Sequence, residues 1–302
     1  MSANTARSEE PRRKAGSLHK TGSLHRQNMW SLWASYSVLS VFVVIFLVPP
    51  FYMLMTAFKS SAEISAEKGN PWIPHAPTLD NFSNLLASTT FQRYFLNSVW
   101  VTALVVVISM VIAILAAFSL SRMGFKGSQA ISTGIFLTYL VPPSLLFIPL
   151  FQIVGNLGLI NNTFVLVLLF PTLAVPFCTW IMIGYFSSIP KELDEAALID
   201  GATYPQILLQ IFIPVALPGI IAATIFAFTV GWGAFLYPLA YLYSADQATL
   251  TVGIVRDLIR GDVFAWGMIM AACVMGAAPP IIIYTFLMDY YVAGLTAGST
   301  KG

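Results

Sequence analysis

The chain has 302 residues, 57% of them hydrophobic and 9% charged, with 15 Lys and Arg against 13 Asp and Glu and a net charge of +2. Soluble domains carry about 25% charged residues, so most of this surface is expected to face something other than water, as the mean hydropathy of +0.78 also implies. A near-neutral balance without a single basic patch argues against nucleic-acid binding.

Residues 1–30 are polar and basic, with Arg7, Arg12, Arg13, Lys14, Lys20 and Arg26. They lack apolar periodicity and are expected to form a disordered cytoplasmic tail. This stretch is longer than the charged start of a signal peptide, and the apolar run behind it is longer than the usual signal core. The run is therefore expected to remain as an uncleaved membrane anchor. Residues 31–302 are expected to form one transmembrane domain. A spanning helix needs about 20 apolar residues. Six stretches qualify, near 35–55, 95–120, 131–154, 163–186, 217–241 and 266–287.

Lysine and arginine set the orientation. With the N-terminus inside, the cytoplasmic side holds Arg7, Arg12, Arg13, Lys14, Lys20, Arg26, Arg122, Lys126, Lys191 and Lys301. The outer side holds Lys59, Lys68, Arg93, Arg256 and Arg260. That excess predicts both termini in the cytoplasm. Two outer segments are long. Residues 56–94 carry Trp72 among Pro71, Pro74 and Pro77, then an amphipathic piece over 79–91. Residues 242–265 carry a short helix around 252–260. No tandem repeat or separate soluble domain is evident.

Proline recurs at membrane depth, at Pro49, Pro50, Pro142, Pro143, Pro171, Pro176, Pro238, Pro279 and Pro280. Each removes a backbone donor and bends its helix. In lipid this is tolerated where neighbouring helices or a cavity satisfy the freed carbonyls. Such prolines fit a bundle bent around a pathway, and equally fit ordinary proline use in membrane helices. No Asp, Glu, Lys, Arg or His lies well inside a span. Proton- or ion-coupled carriers need such groups, so energy would have to come from a partner. Cys178 and Cys273 both lie in apolar runs and are expected to be small buried hydrophobes, with no metal site.

The inner segment over 187–216 holds the most informative run. It reads Ser187-Ser188-Ile189-Pro190-Lys191-Glu192-Leu193-Asp194-Glu195-Ala196-Ala197-Leu198-Ile199-Asp200-Gly201, then Ala202-Thr203-Tyr204-Pro205-Gln206. A short helix, a break and a second helix are expected. Ser188 is the expected N-cap, with Pro190 in the first turn and Glu192 facing the positive helix end. Gly201 can end the helix in the left-handed conformation. Thr203 and Gln206 have capping-box spacing. The second helix continues through Ile207, Leu208, Ile211 and Phe212 toward Pro214. Ala196 and Ala197 permit close approach of another surface, and Glu195 can accept from a partner's Arg or Lys. Asp200 lies at the unfavourable end of its helix for an acid, so it serves either the next helix or a partner. A helix that merely lies on lipid usually displays Lys and Arg. Here Glu192, Asp194, Glu195 and Asp200 face a single Lys191, so a basic protein groove is the better partner.

Glu195-Ala196-Ala197, Gly201, Ile211 and Pro214 resemble the EAA signature of ABC importer membrane subunits. The family pattern ends Ile-x-Leu-Pro, and Ile213 stands here for the leucine. The resemblance covers about residues 30–302 and is nearest to the maltose-type sugar-importer branch. It rests on Pro50, Lys59-Ser60, Asn97-Ser98, residues 118–122 with Phe125, Pro149-Leu150, Gly158-Leu159, Ile189-Pro190, Asp200-Gly201-Ala202 and the ending Gly294-Leu295-Thr296-Ala297-Gly298 with Lys301-Gly302. The branch often reads Trp-Asn-Glu-Phe in its fifth helix, where this chain has Trp232-Gly233-Ala234-Phe235.

The resemblance implies an all-α transmembrane permease of six helices in the inner membrane of a bacterium. It implies alternating access driven by a cytoplasmic ABC ATPase dimer. Glu195, Ala196, Ala197, Asp200 and Gly201 would form the coupling site. A second, different permease would complete the pathway, lined in this chain near Trp232, Gly233, Phe235 and Pro238. An extracytoplasmic binding protein would deliver a sugar to Trp72 and the 242–265 loop. No cofactor and no ATPase site of its own are expected, since no Gly-x-x-x-x-Gly-Lys-Ser/Thr run occurs. An ABC permease for an amino acid, polyamine or phosphonate shares the loop and remains open. A secondary carrier would show internal ionisable residues and an inverted repeat. A membrane enzyme would need a catalytic cluster, yet His19, His25 and His75 lie apart. Aromatic residues are plentiful, with 22 Phe, 12 Tyr and 7 Trp. They suit sugar rings but serve equally in the core and at the membrane interface.

Overall fold

A computed structural model describes residues 21–66, 69–260 and 263–297. The protein is nearly all helical and divides into two compact units after Tyr52. The first unit is carried by α1 (Thr21–Ala57), whose segment Met29–Ala57 is long and apolar enough to cross a membrane. A helix satisfies nearly all its backbone polar groups internally, which a span in lipid requires. The expected unstructured tail is corrected in part, because the helix already begins at Thr21. Residues 1–20 lie outside the described residues.

The second unit opens with α2 (Ser61–Ile64) and α3 (Asp80–Ala87). The amphipathic piece expected over 79–91 is split. Ser88 is extended, and its Oγ accepts from Phe91 N at 3.4 Å, so it caps a new helix, α4 (Thr89–Arg122). There follow α5 (Ser128–Tyr139), α6 (Pro143–Asn156), α7 (Phe164–Ser188) and α8 (Lys191–Ile199). Next come α9 (Tyr204–Ile207), a π-helical turn at Leu208–Phe212, and α10 (Ile213–Val215). The chain continues with α11 (Leu217–Trp232), α12 (Leu236–Tyr241), α13 (Leu250–Leu258) and α14 (Trp266–Ala297). The short helix expected around 252–260 is α13, which ends earlier. Ile259–Arg260 instead pairs as a two-residue strand, antiparallel to Val263–Phe264.

The core is the packing of α4, α7 and α11. Ala113, Ala117, Ala174, Ala223 and Ala227 are all fully buried where these helices meet. Small side chains let helix backbones approach closely, which drives association where lipid is as apolar as the helix surface. Phe118, Met182, Phe186 and Phe212 fill the remaining space at one end. Val101, Val105, Leu166, Phe170, Tyr237 and Tyr241 fill it at the other.

Two expected spans are not single straight helices. The stretch expected over 131–154 is broken, with α5 and α6 meeting at 93°. Pro142 and Pro143 lack N–H groups, and a residue before proline is pushed out of helical geometry. The stretch expected over 217–241 remains long and apolar enough to be one span, but it is interrupted between α11 and α12. Gly233 closes α11, and Phe235 lies outside helical geometry at φ −125°. The carbonyl of Ala234 exposed there accepts from Thr251 Oγ1 at 2.7 Å.

Side-chain contacts fix the helix directions. The start of α4 meets the 242–258 loop, where Asn97 Nδ2 donates to Asp246 O and Ala248 O, each at 2.9 Å. The start of α7 meets the same loop, where Thr163 N donates to Gln247 Oε1 at 2.9 Å. The ends of α4 and α7 meet each other at Arg122 and Phe186. The two helices therefore run in the same direction, and residues 123–163 return the chain from one end to the other.

Candidate coupling site

The inner segment grows out of the end of α7. Ser188 is not the N-cap of α8. It is the last residue of α7, and its Oγ donates back to Tyr185 O at 2.7 Å. Ile189 is extended, and Pro190 takes the N-cap position of α8. A proline N-cap has no side chain to satisfy the first N–H groups, and Glu192 and Asp194 in the first turn supply the favourable charge instead. The helix ends as expected. Gly201 has φ +83°, a conformation that costs any residue with a Cβ. Ala202 N then donates to Ala197 O at 2.9 Å, tying the turn back to the helix. Thr203 and Gln206 form the expected capping box, with Thr203 N donating to Gln206 Oε1 at 2.8 Å.

The second helix is less regular than its sequence suggests. A proline in a helix clashes with the carbonyl four residues earlier and leaves it without a donor. Pro214 stands at that distance from Gln210, inside the π-helical turn Leu208–Phe212. The wider turn absorbs the clash, and Ile213 N donates to Leu208 O.

The expected coupling residues fall on two faces. Ala197 and Ala202 are half-buried against the cluster formed by Phe118, Phe186 and Phe212. Glu195, Ala196, Asp200 and Gly201 stay exposed, as does Glu192. Beside them lies an apolar edge, with Leu193 45% exposed, Leu198 42% and Ile199 86%.

Sequence reasoning gave Arg122 no structural role: it entered as one charge in the orientation count and as the last residue of the 118–122 run. It is the last residue of α4, and its side chain is 3% exposed. Its Nη2 donates to Phe186 O and Ile189 O, two acceptors at the end of α7. Its Nη1 lies 3.4 Å from Asp194 Oδ1 in α8. The guanidinium also stands 4.7 Å from the ring centre of Phe212. Terminal helix carbonyls lack partners within their own helix and carry the negative end of the dipole. A buried cation there is stabilised by both, while burial without partners would cost several kcal/mol. The signal for it was an arginine closing a helix that carries no other charge after Arg93, one turn after Phe118.

The four expected pathway residues do not share one surface. Trp232 is buried, stacks on Phe228 at 5.7 Å and donates Nε1 to Gly276 O at 2.9 Å. Pro238 is also buried, whereas Gly233 and Phe235 are exposed at the break between α11 and α12.

At the far end, Trp72 is 46% exposed. Its loop is held by Lys59, only 4% exposed, which donates Nζ to Asn70 O at 2.6 Å and Pro71 O at 2.9 Å. The 242–258 loop is tied down by several side chains. Asn161 Nδ2 donates to Ser244 Oγ at 2.7 Å, and Arg256 Nη2 donates to Leu242 O at 2.8 Å. Ser98 Oγ accepts from Leu250 N at 2.8 Å, capping α13 from across the fold. Cys178 and Cys273 are free thiols.

These features define a multi-pass membrane protein with an exposed, acidic two-helix segment locked to its core. The family described as "binding-protein-dependent transport system inner membrane component" matches residues 109–296, and the chain belongs to it. It is 35% identical over 264 residues to the sulfoquinovosyl glycerol transport system permease protein SmoH of Agrobacterium fabrum, covering 87% of this chain and 92% of that one. It is 32% identical to the diacetylchitobiose uptake system permease protein DasC of Streptomyces coelicolor, covering 90% and 97% respectively. The fold is that of a chain in a bacterial ABC transporter for import of the acidic polysaccharide alginate, with a TM-score of 0.77, 23% identity, and coverage of 88% and 98%. The protein is thus a permease-type transport component.

Proposed function

We propose that this chain is one membrane subunit of an ATP-driven importer in a bacterial inner membrane, and that its cargo is a sugar or sugar derivative. The observation that carries the reading is α8. It offers Glu195, Ala196, Asp200 and the apolar edge of Leu193, Leu198 and Ile199 without a partner among the described residues, while Ala197 and Asp194 lock it to the core. A face of that composition suits a groove with basic and apolar walls in a cytoplasmic ABC ATPase dimer. The names of the relatives support a carbohydrate-derived substrate.

The chain crosses the membrane six times, with both termini in the cytoplasm. The parallel course of α4 and α7 supports this, because α5 and α6 then act as one broken crossing. ATP hydrolysis belongs to the ATPase subunits. A second permease completes the pathway, and the open break near Gly233 and Phe235 is this chain's contribution to it, with Trp232 and Pro238 supporting from behind. An extracytoplasmic binding protein docks at the far end, on Trp72 and the 242–258 loop.

The test is reconstitution of the chain in liposomes with its partner ATPase, second permease and binding protein. Labelled sugars should enter only with ATP and the binding protein. Uptake of an amino acid, polyamine or phosphonate in place of sugars would overturn the substrate reading. Absence of an ATPase from the purified assembly would overturn the whole.

A further inference from the structure

Arg122 joins three helices and the π-helical turn at the inner segment. It is rooted in α4, caps the carbonyls of Phe186 and Ile189 at the end of α7, pairs with Asp194 of α8 and lies over the Phe212 ring in the π-helical turn. The Phe212 ring is itself edge-on to Phe118 of α4 at 5.2 Å and to Phe186 of α7 at 5.3 Å. The docking face of α8 points away from this knot, since Glu195, Leu198 and Ile199 are exposed and Asp194 is half-buried. Docking and transmission therefore use different side chains of the same helix.

Resting on the importer reading above, we propose that Arg122 is the positioning residue that makes α4, α7 and α8 move as one body, so that displacement of α8 by the ATPase is passed to the membrane helices. The chemistry fits the task. A planar guanidinium can fork over two carbonyls while keeping an ion pair and a ring contact, which an ammonium cannot do. Among the described residues Arg122 Nε has no hydrogen-bond partner although it is buried, so the contacts rest on the two terminal nitrogens. Without them, the short linker Ile189–Pro190 joins α8 to α7, and α4 is held to the segment by the apolar packing around Phe118 and Phe212.

The test compares Arg122→Gln and Arg122→Lys in the full reconstituted importer, measuring ATPase retention, ATP hydrolysis and substrate taken up per ATP. The Gln variant should keep its ATPase and hydrolyse ATP, while uptake per ATP falls at least about fivefold, the lower end of measured couplings between sites. The Lys variant should recover part of the uptake, because it keeps a cation beside Asp194. Unchanged uptake per ATP in Arg122→Gln would overturn the proposal. So would loss of the ATPase from both variants, because Arg122 would then be holding the docking face rather than the linkage. If the unmodified complex shows no ATP-driven uptake, the importer reading has failed, and that result is separate from either of these.

Discussion

Gly219 of α11 lies flat against the Tyr185 ring of α7. A Cβ added there would sit 2.3 Å from Tyr185 Cδ2. Gly219 is buried, and the ring cannot retreat without disturbing the cluster around Phe186 and Phe212. Overpacking of this kind costs about 1–3 kcal/mol. We predict that Gly219→Ala lowers the thermal unfolding midpoint of the purified protein and that Gly219→Val lowers it further. A midpoint unchanged in both would show that the ring yields freely.

Glu195 is one of three exposed acids of the α8 segment, with Glu192 and Asp200. Glu195→Lys reverses its charge without touching a core contact. The protein should reach the membrane in normal amount, but the ATPase should be lost on purification or uptake abolished. Retention of the ATPase with normal uptake would remove Glu195 from the docking surface.

Gly201 at φ +83° sets the angle between α8 and α9. Among the described residues no atom lies within 4 Å of its missing Cβ, so the penalty of a side chain is conformational and not steric crowding. A β-branched residue there should cost about 1–2 kcal/mol. We expect Gly201→Val to impair uptake strongly and Gly201→Asn mildly, because Asn tolerates the left-handed region better. Equal uptake by the two variants would show that the backbone conformation does not matter for coupling.

Ser98 caps α13 from α4, and both Ser98 and Leu250 are buried. Ser98→Ala leaves the Leu250 N–H unsatisfied away from water, at a cost of about 1–3 kcal/mol. Hydrogen exchange at the start of α13 should rise while the ends of α7 and α8 keep their protection. No change in exchange there would mean that Ser98 does not hold the loop.

Orientation can be checked chemically. Ile199 and Tyr243 are 86% and 71% exposed and belong to opposite ends of the bundle. A cysteine replacing Ile199 should react with a membrane-impermeant maleimide only from the cytoplasmic side. A cysteine replacing Tyr243 should react only from outside. The reverse pattern would invert the topology and place α8 beyond the reach of any cytoplasmic ATPase.

Apolar run length and charge scarcity were enough to locate five long apolar helices, because a span must be long, uncharged and internally hydrogen-bonded whatever surrounds it. The Gly201 turn and the Thr203–Gln206 box were legible for a similar reason. Both are local, and their geometry is fixed by residues within one turn of each other. The 93° break at Pro142–Pro143 was only half visible. Proline announces a defect, but neighbours decide between a mild kink and a full corner. Ser188 was misplaced because its Oγ had two possible partners, and only the folded chain shows that the α7 carbonyl wins.

Arg122 marks the boundary most clearly. Sequence determined that an arginine would end a long greasy helix. Tertiary structure decided that its terminal nitrogens would reach helix-end carbonyls 64 and 67 positions away and an acid 72 positions away. A buried charge is defined by its partners, and partners that distant in the chain have no trace in local composition. The same holds for Trp232 and Gly233. They are adjacent in sequence, yet packing against Phe228 and Gly276 buries one and leaves the other open.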